Sequence, residues 1–148
     1  MRRIIVILTL VSFALASAAN AQAPATTFYI QLIRGTETNQ PPVPGTKRVG
    51  PKLAETFRSA FKCKGFWEIE RREVEVAPGQ VKRVELGSER AVEIDLRSPK
   101  ERKVTAYHSG KVADRTVVPA GDGMSIIGGN REDKTVWFIV VRRDKPSD

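Results

Sequence analysis

The chain has 148 residues, 25 Lys and Arg against 17 Asp and Glu, and a formal charge of +8. With one cysteine and one histidine, it has neither the pair of thiols for an internal disulfide nor the soft and imidazole ligands of a structural zinc site. Stability therefore has to come from a folded core, and any basic character has to act through Lys and Arg.

The chain opens with MRRIIVILTLVSFALASAANAQA, in which Arg2 and Arg3, an apolar run from Ile4 to Leu15 and a small-residue tail give the three-part layout of a secretory signal. Cleavage after Ala21 is expected, because the alternative after Ala23 would leave Pro24 just past the scissile bond. The apolar run is shorter than the roughly 18 to 20 residues that cross hydrocarbon, so it reads as a leader and not as an anchor. No cysteine stands at the cleavage point to carry a lipid. Removing residues 1–21 leaves 127 residues from Gln22 onward, with 23 basic and 17 acidic side chains. The resulting charge of +6 and this length fit one domain, secreted or periplasmic, without a transmembrane segment.

TTFYIQLIRG, from Thr26, alternates as a strand with at least one buried face. The Pro- and Gly-rich stretch 35–51 then reads as a long loop, and long loops inside compact domains are often functional. A helix is expected near residues 51–63: Pro51 suits its first position, Leu53, Ala54, Phe57, Ala60 and Phe61 share one face, and Gly65 supplies the stop. Lys62 and Lys64 would fall in its last turn, where cations suit the helix dipole.

From Phe66 onward the period is two. Val74 and Val76, Val84 and Leu86, and Val92, Ile94 and Leu96 alternate with charged residues, as antiparallel strands with one wet face do. VTAYHSGK and VADRTVV give two more strands. Met124–Ile127 and Thr135–Val141 form a final hairpin with NREDK as its charged tip, the second strand being apolar on both faces and so interior. The expected fold is mainly β, an antiparallel β-sandwich-like domain of seven to nine short strands with the one helix packed on it.

The most pointed motif is GDGMSIIGGN. It fails as a dinucleotide fingerprint because Ile126 stands where the third glycine belongs, and as a P-loop because no Lys-Ser/Thr and no helix follow Gly128-Gly129. A helix N-terminus is what would supply free amide donors to a phosphate, so these glycines read as backbone punctuation. His108 and Ser109 are adjacent, which in a strand sends them to opposite faces. Cys63, between Lys62 and Lys64, reads as a structural thiol, with an intermolecular disulfide as the alternative. The carboxylate pairs Glu68/Glu70, Glu73/Glu75 and Glu93/Asp95 sit at i, i+2, and a small hydrolase built on them is the competing function class. Arg71 and Arg97 share those faces, however, and suit them better to ion pairs. No cofactor or metal is indicated.

Phe57, Phe61, Trp137 and Phe138 are assigned to the core. Tyr29, Phe66, Trp67 and Tyr107 are then left as stacking platforms, too few for a specific nucleic-acid signal. FWEIERREVEV, a Pro-Gly turn, VEIDL, MSIIGG and VWFIVV together resemble a type of small secreted bacterial β-domain. The resemblance implies a leader-bearing envelope protein and assigns no residue a role. The expected function is thus a non-catalytic binding domain for a protein or an anionic envelope component, with a structural subunit as a further alternative. Its expected surface is the loop Thr36–Val49 with Lys47 and Arg48, extended by Arg71, Arg72, Lys82 and Arg83.

Overall fold

A computed structural model describes residues 23–147; the leader and its cleavage point lie outside the described residues. The elements in chain order are β1 (Thr26–Thr36), β2 (Lys47–Arg48), α1 (Pro51–Ala60), β3 (Gly65–Val76), β4 (Val81–Leu86), β5 (Arg90–Asp95), β6 (Glu101–His108), β7 (Lys111–Pro119), β8 (Met124–Glu132) and β9 (Thr135–Arg142). They form two antiparallel sheets, ordered β2-β3-β1-β9-β8 and β4-β5-β6-β7, as a sandwich-like fold.

The first sheet is packed on both faces over much of its area, which explains why the middle of β9 and most of the centre of β1 are apolar on both sides. Phe28, Ile30 and Leu32 from β1 and Ile139 and Val141 from β9 join Leu86, Val92, Ile94, Val104 and Ala106 of the second sheet in one buried cluster. The alternate residues Ile33, Val136, Phe138 and Val140 join Leu53, Ala54 and Phe57 of α1 in another. Phe57 stacks on Phe138 with ring centroids 4.5 Å apart and lies 5.2 Å from Phe66. The helix therefore extends the fold to three layers.

Several sequence expectations need correction. The helix ends at Ala60; Phe61 is already extended (φ −132°, ψ 133°), so Lys62 and Lys64 are outside it, and Gly65 begins β3 instead of stopping a helix. The chain leaves the helix early because Phe61 turns edge-on to Phe138, at 4.7 Å, and the Lys64 amide donates to the Thr36 carbonyl, drawing the segment onto the end of β1. The long loop is also shorter than expected: Gly35 and Thr36 belong to β1, and Lys47-Arg48 pair with Trp67 and Glu68. Phe66 and Trp67 are buried, so they are not stacking platforms; the Trp67 indole N–H donates to Thr36 Oγ1 at 3.0 Å.

Gly128 and Gly129 of the GDGMSIIGGN stretch serve the close packing of this region. β8 does not stop at Ile127 but runs to Glu132, with a register irregularity between Gly128 and Arg131, and the hairpin turns on Asp133 and Lys134. Gly128 has φ +108°, and a Cβ there would stand 2.6 Å from the Trp137 carbonyl oxygen. At Gly129 a Cβ would stand 3.0 Å from the ring of Phe61. The missing side chain at Gly129 makes room for Phe61, and the one at Gly128 lets β8 close against the backbone of β9.

A second irregularity matters more for function. Between Leu32 and Ile33 the β1–β3 register slips: Leu32 faces Glu70, and Ile33 faces Glu68. Ile69 is the extra residue of a β-bulge, and it sends Glu68 and Glu70 to opposite faces. The expected shared face for that pair is thus overturned, and Glu68 instead shares the helix-side face with Arg71, which stands opposite Gln31.

Candidate functional site

On the helix side of the first sheet, α1 covers only part of the surface. Beside its N-terminus lies a cleft of about 330 Å³, within the size range of small-ligand sites. Its floor is built from sheet residues Gln31, Glu68, Arg71 and Arg142, and its apolar wall from Val49, Leu53 and Met124. Lys47, Arg48 and Lys52 stand on the rim, and the segment Asp144–Ser147 passes along the other side.

Local structure fixes each part. The bulge at Ile69 turns Glu68 toward Arg71, whose Nε donates to Oε1 at 3.0 Å and whose Nη2 donates to Oε2 at 3.0 Å. Gln31 donates its amide to the same carboxylate. Its carbonyl oxygen is buried and meets no protein donor, an arrangement that costs on the order of 1–3 kcal/mol. Across the cleft, Arg142 Nε donates to Asp144 Oδ1 at 3.1 Å, and this partner holds the Asp144 carboxyl below its ordinary value. Arg48 lies over the Trp67 ring at 4.6 Å and donates to the Asn39 carbonyl at 2.9 Å. Pro51 starts the helix without an N–H, and no side chain caps that end, so its partial positive charge adds to that of the rim.

Four cationic side chains, those of Lys47, Lys52, Arg71 and Arg142, thus accompany two carboxylates, Glu68 and Asp144, while Arg48 reaches the edge of the cleft with its guanidinium turned onto Trp67. Both acids are already tied to arginine. The surplus positive charge can hold an anion in a concave and partly apolar setting, where the pairing is less screened than on open surface.

Of the residues proposed from sequence, the cleft brings together Lys47, Arg48 and Arg71. Arg72 is on the other face of β3, opposite Ile30 and paired with Glu70. Lys82 and Arg83 are on β4 in the second sheet, where Arg83 bonds Glu85 at 2.9 Å and stacks on Tyr107 at 4.3 Å. Sequence reasoning missed Gln31, Lys52, Met124, Arg142 and Asp144. The available signal was Gln31, a polar residue between Ile30 and Leu32 in the buried middle of β1.

The other chemical candidates fall elsewhere. Asp95 is clamped by Arg97 through both carboxylate oxygens, at 3.0 and 2.7 Å, and those bonds bring its pKa down to about 2. His108 stands 3.5 Å from Glu89, and Ser109 sits in a left-handed turn with φ 48°. Cys63 is buried against Gly35, and burial pushes its thiol pKa up. Among the described residues, no three His, Cys, Asp or Glu side chains converge in a way that could hold a metal ion, and no helix is long and apolar enough to cross a membrane. In comparisons with protein families, curated proteins and solved structures, nothing matches the chain.

Proposed function

We propose that this chain works outside the cytoplasm as a non-catalytic binding domain, and that an anionic component of the bacterial envelope is seated in the cleft beside α1. The observation that carries this reading is the surplus of cations in a concave site, built from three separate parts of the chain: β2 with the helix start, β3, and the end of β9. Arg142, which holds the Asp144 carboxyl below its ordinary value, favours binding over hydrolysis at that acid, since a proton-transferring carboxyl works best with a pKa near the operating pH. The leader-like start of the sequence supports the location.

The test is retention of anionic molecules from a bacterial envelope extract at low salt, with the bound molecules released and identified by mass spectrometry. The double variant Lys47→Gln/Lys52→Gln is expected to retain less than about a tenth of what the parent does, through loss of charge-assisted contacts. Lys82→Gln/Arg83→Gln on the second sheet should retain the full amount. Equal retention by the parent and the cleft variant would overturn the reading.

A further inference from the structure

The cleft is not uniformly polar, and that carries its own information. Val49 and Leu53 are buried at its edge, while Met124 stands 37% exposed beside them, a large apolar side chain open to the same space. The cations lie on the helix N-terminal and β2 side and in the floor. Free phosphate or another fully hydrated anion would use the cations and leave the apolar wall wet. A flat anionic polymer would run over the rim without entering. Cations and apolar groups alternate around the cleft, with Leu53 next to Lys52 and Met124 across from Arg142, which fits a molecule that offers both an anionic group and a short apolar part.

Resting on the cleft as the ligand seat, we infer that its ligand class is a small amphiphile with one anionic headgroup, carboxylate or phosphate, and a short saturated tail. The headgroup meets Lys52, Lys47 and the uncapped start of α1, and the tail lies against Val49, Leu53 and Met124. At about 30 Å³ per water-sized group, the volume of about 330 Å³ holds the headgroup and roughly six to eight carbons. Longer tails extend through the open mouth and gain little more.

The experiment is isothermal titration of the purified protein with straight-chain carboxylates from acetate to dodecanoate, kept below their micelle-forming concentrations. Octyl phosphate, octanol and octylamine are the controls. Affinity is expected to rise about two- to fourfold per methylene up to roughly eight carbons and then level off, following a burial gain of about 0.8 kcal/mol per CH₂ at most. Octyl phosphate should bind in the octanoate range. Octanol and octylamine should bind at least about tenfold more weakly, because they lack the charge-assisted contact. Met124→Gln should flatten the chain-length dependence while acetate binding stays unchanged; Lys47→Gln/Lys52→Gln should weaken every anion in parallel. Both variants alter exposed side chains, and circular dichroism checks that they fold. If acetate and inorganic phosphate bind as tightly as octanoate, the amphiphile inference fails while the anion seat stands. If no anion binds at all, both fail.

Discussion

Ser125→Ala is the most discriminating small change outside the cleft. Among the described residues Arg102 has the largest fully buried side chain, with no solvent exposure. It donates from Nε and Nη2 to Ser125 Oγ at 3.2 and 2.8 Å, and from Nη1 to the Asp122 carbonyl at 2.8 Å. Among the described residues no carboxylate is bonded to it, and burial lowers its pKa from the ordinary arginine value. Removing one oxygen therefore strips two bonds from a charge that water cannot reach. Hydrogen bonds to charged groups contribute about 1.5–3 kcal/mol each; two donors sharing one acceptor do not add fully, and the Asp122 bond survives. The expected loss is about 2–4 kcal/mol, a large part of the 5–15 kcal/mol typical of a domain. Losing an ordinary neutral hydrogen bond would cost only about 0.5–1.5 kcal/mol. Urea unfolding followed by the fluorescence of Trp67 and Trp137 measures the difference. A second arm adds Arg102→Met, which removes the buried charge and keeps an apolar chain near Phe28; the double variant is expected to be more stable than Ser125→Ala alone. A loss below 1 kcal/mol, or a double variant no more stable than the single one, would refute the reasoning. The contact also bears on the site, since Arg102 anchors the segment that carries Gly123 and Met124 into the cleft.

Asp95→Asn tests the Arg97 clamp by its pH dependence. The folded carboxyl titrates at about 2 and an unfolded one near 3.9, so the unfolded state holds more protons between those values and stability rises with pH across them. Because Arg97 is two-thirds exposed, screening reduces the gain to about 1 kcal/mol. That difference between parent and variant should be present above about pH 5, mostly lost by about pH 2 and gone by about pH 1; a difference that is undiminished at about pH 2 would count against the clamp. Phe57→Ala is expected to cost about 3–5 kcal/mol and to abolish anion binding as well, because the helix it anchors is a wall of the cleft; calorimetric melting and octanoate titration check both effects. Gly128→Ala combines an unfavourable φ with a Cβ 2.6 Å from the Trp137 carbonyl oxygen. Its expected loss is about 1–3 kcal/mol in the same urea assay, and an unchanged midpoint would show that the bulge relaxes freely.

The strands, the sandwich-like architecture and the interior position of β9 were legible because period-two alternation and burial on both faces leave direct marks on residue type. The helix start was legible from Pro51. Its end was not, because Gly65 looks like a stop, whereas what ends α1 is the packing of Phe61 over Gly129 and Phe138, far away in sequence. The site was legible only in part for the same reason. Lys47 and Arg48 stood out as basic residues beside an unusual loop, but a bulge at Ile69 decides that Arg71 faces the cleft with Glu68 while Arg72 does not. Counting every second residue gives the opposite grouping. Arg142 and Asp144 enter from the far end of the chain, and no local pattern links them to β2. Basic character on β4 looked equivalent in sequence and is on the other sheet.

The central claim is that the cleft beside α1 is the ligand seat, and a two-dimensional ¹H–¹⁵N NMR titration of the purified protein with octanoate tests it most directly. Saturable shift changes are expected to concentrate at Gln31, Lys47–Leu53, Arg71, Met124 and Arg142, while the amides of Lys82 and Arg83 stay unchanged. Shifts that centre on β4 and β5, or none that saturate, would contradict the claim.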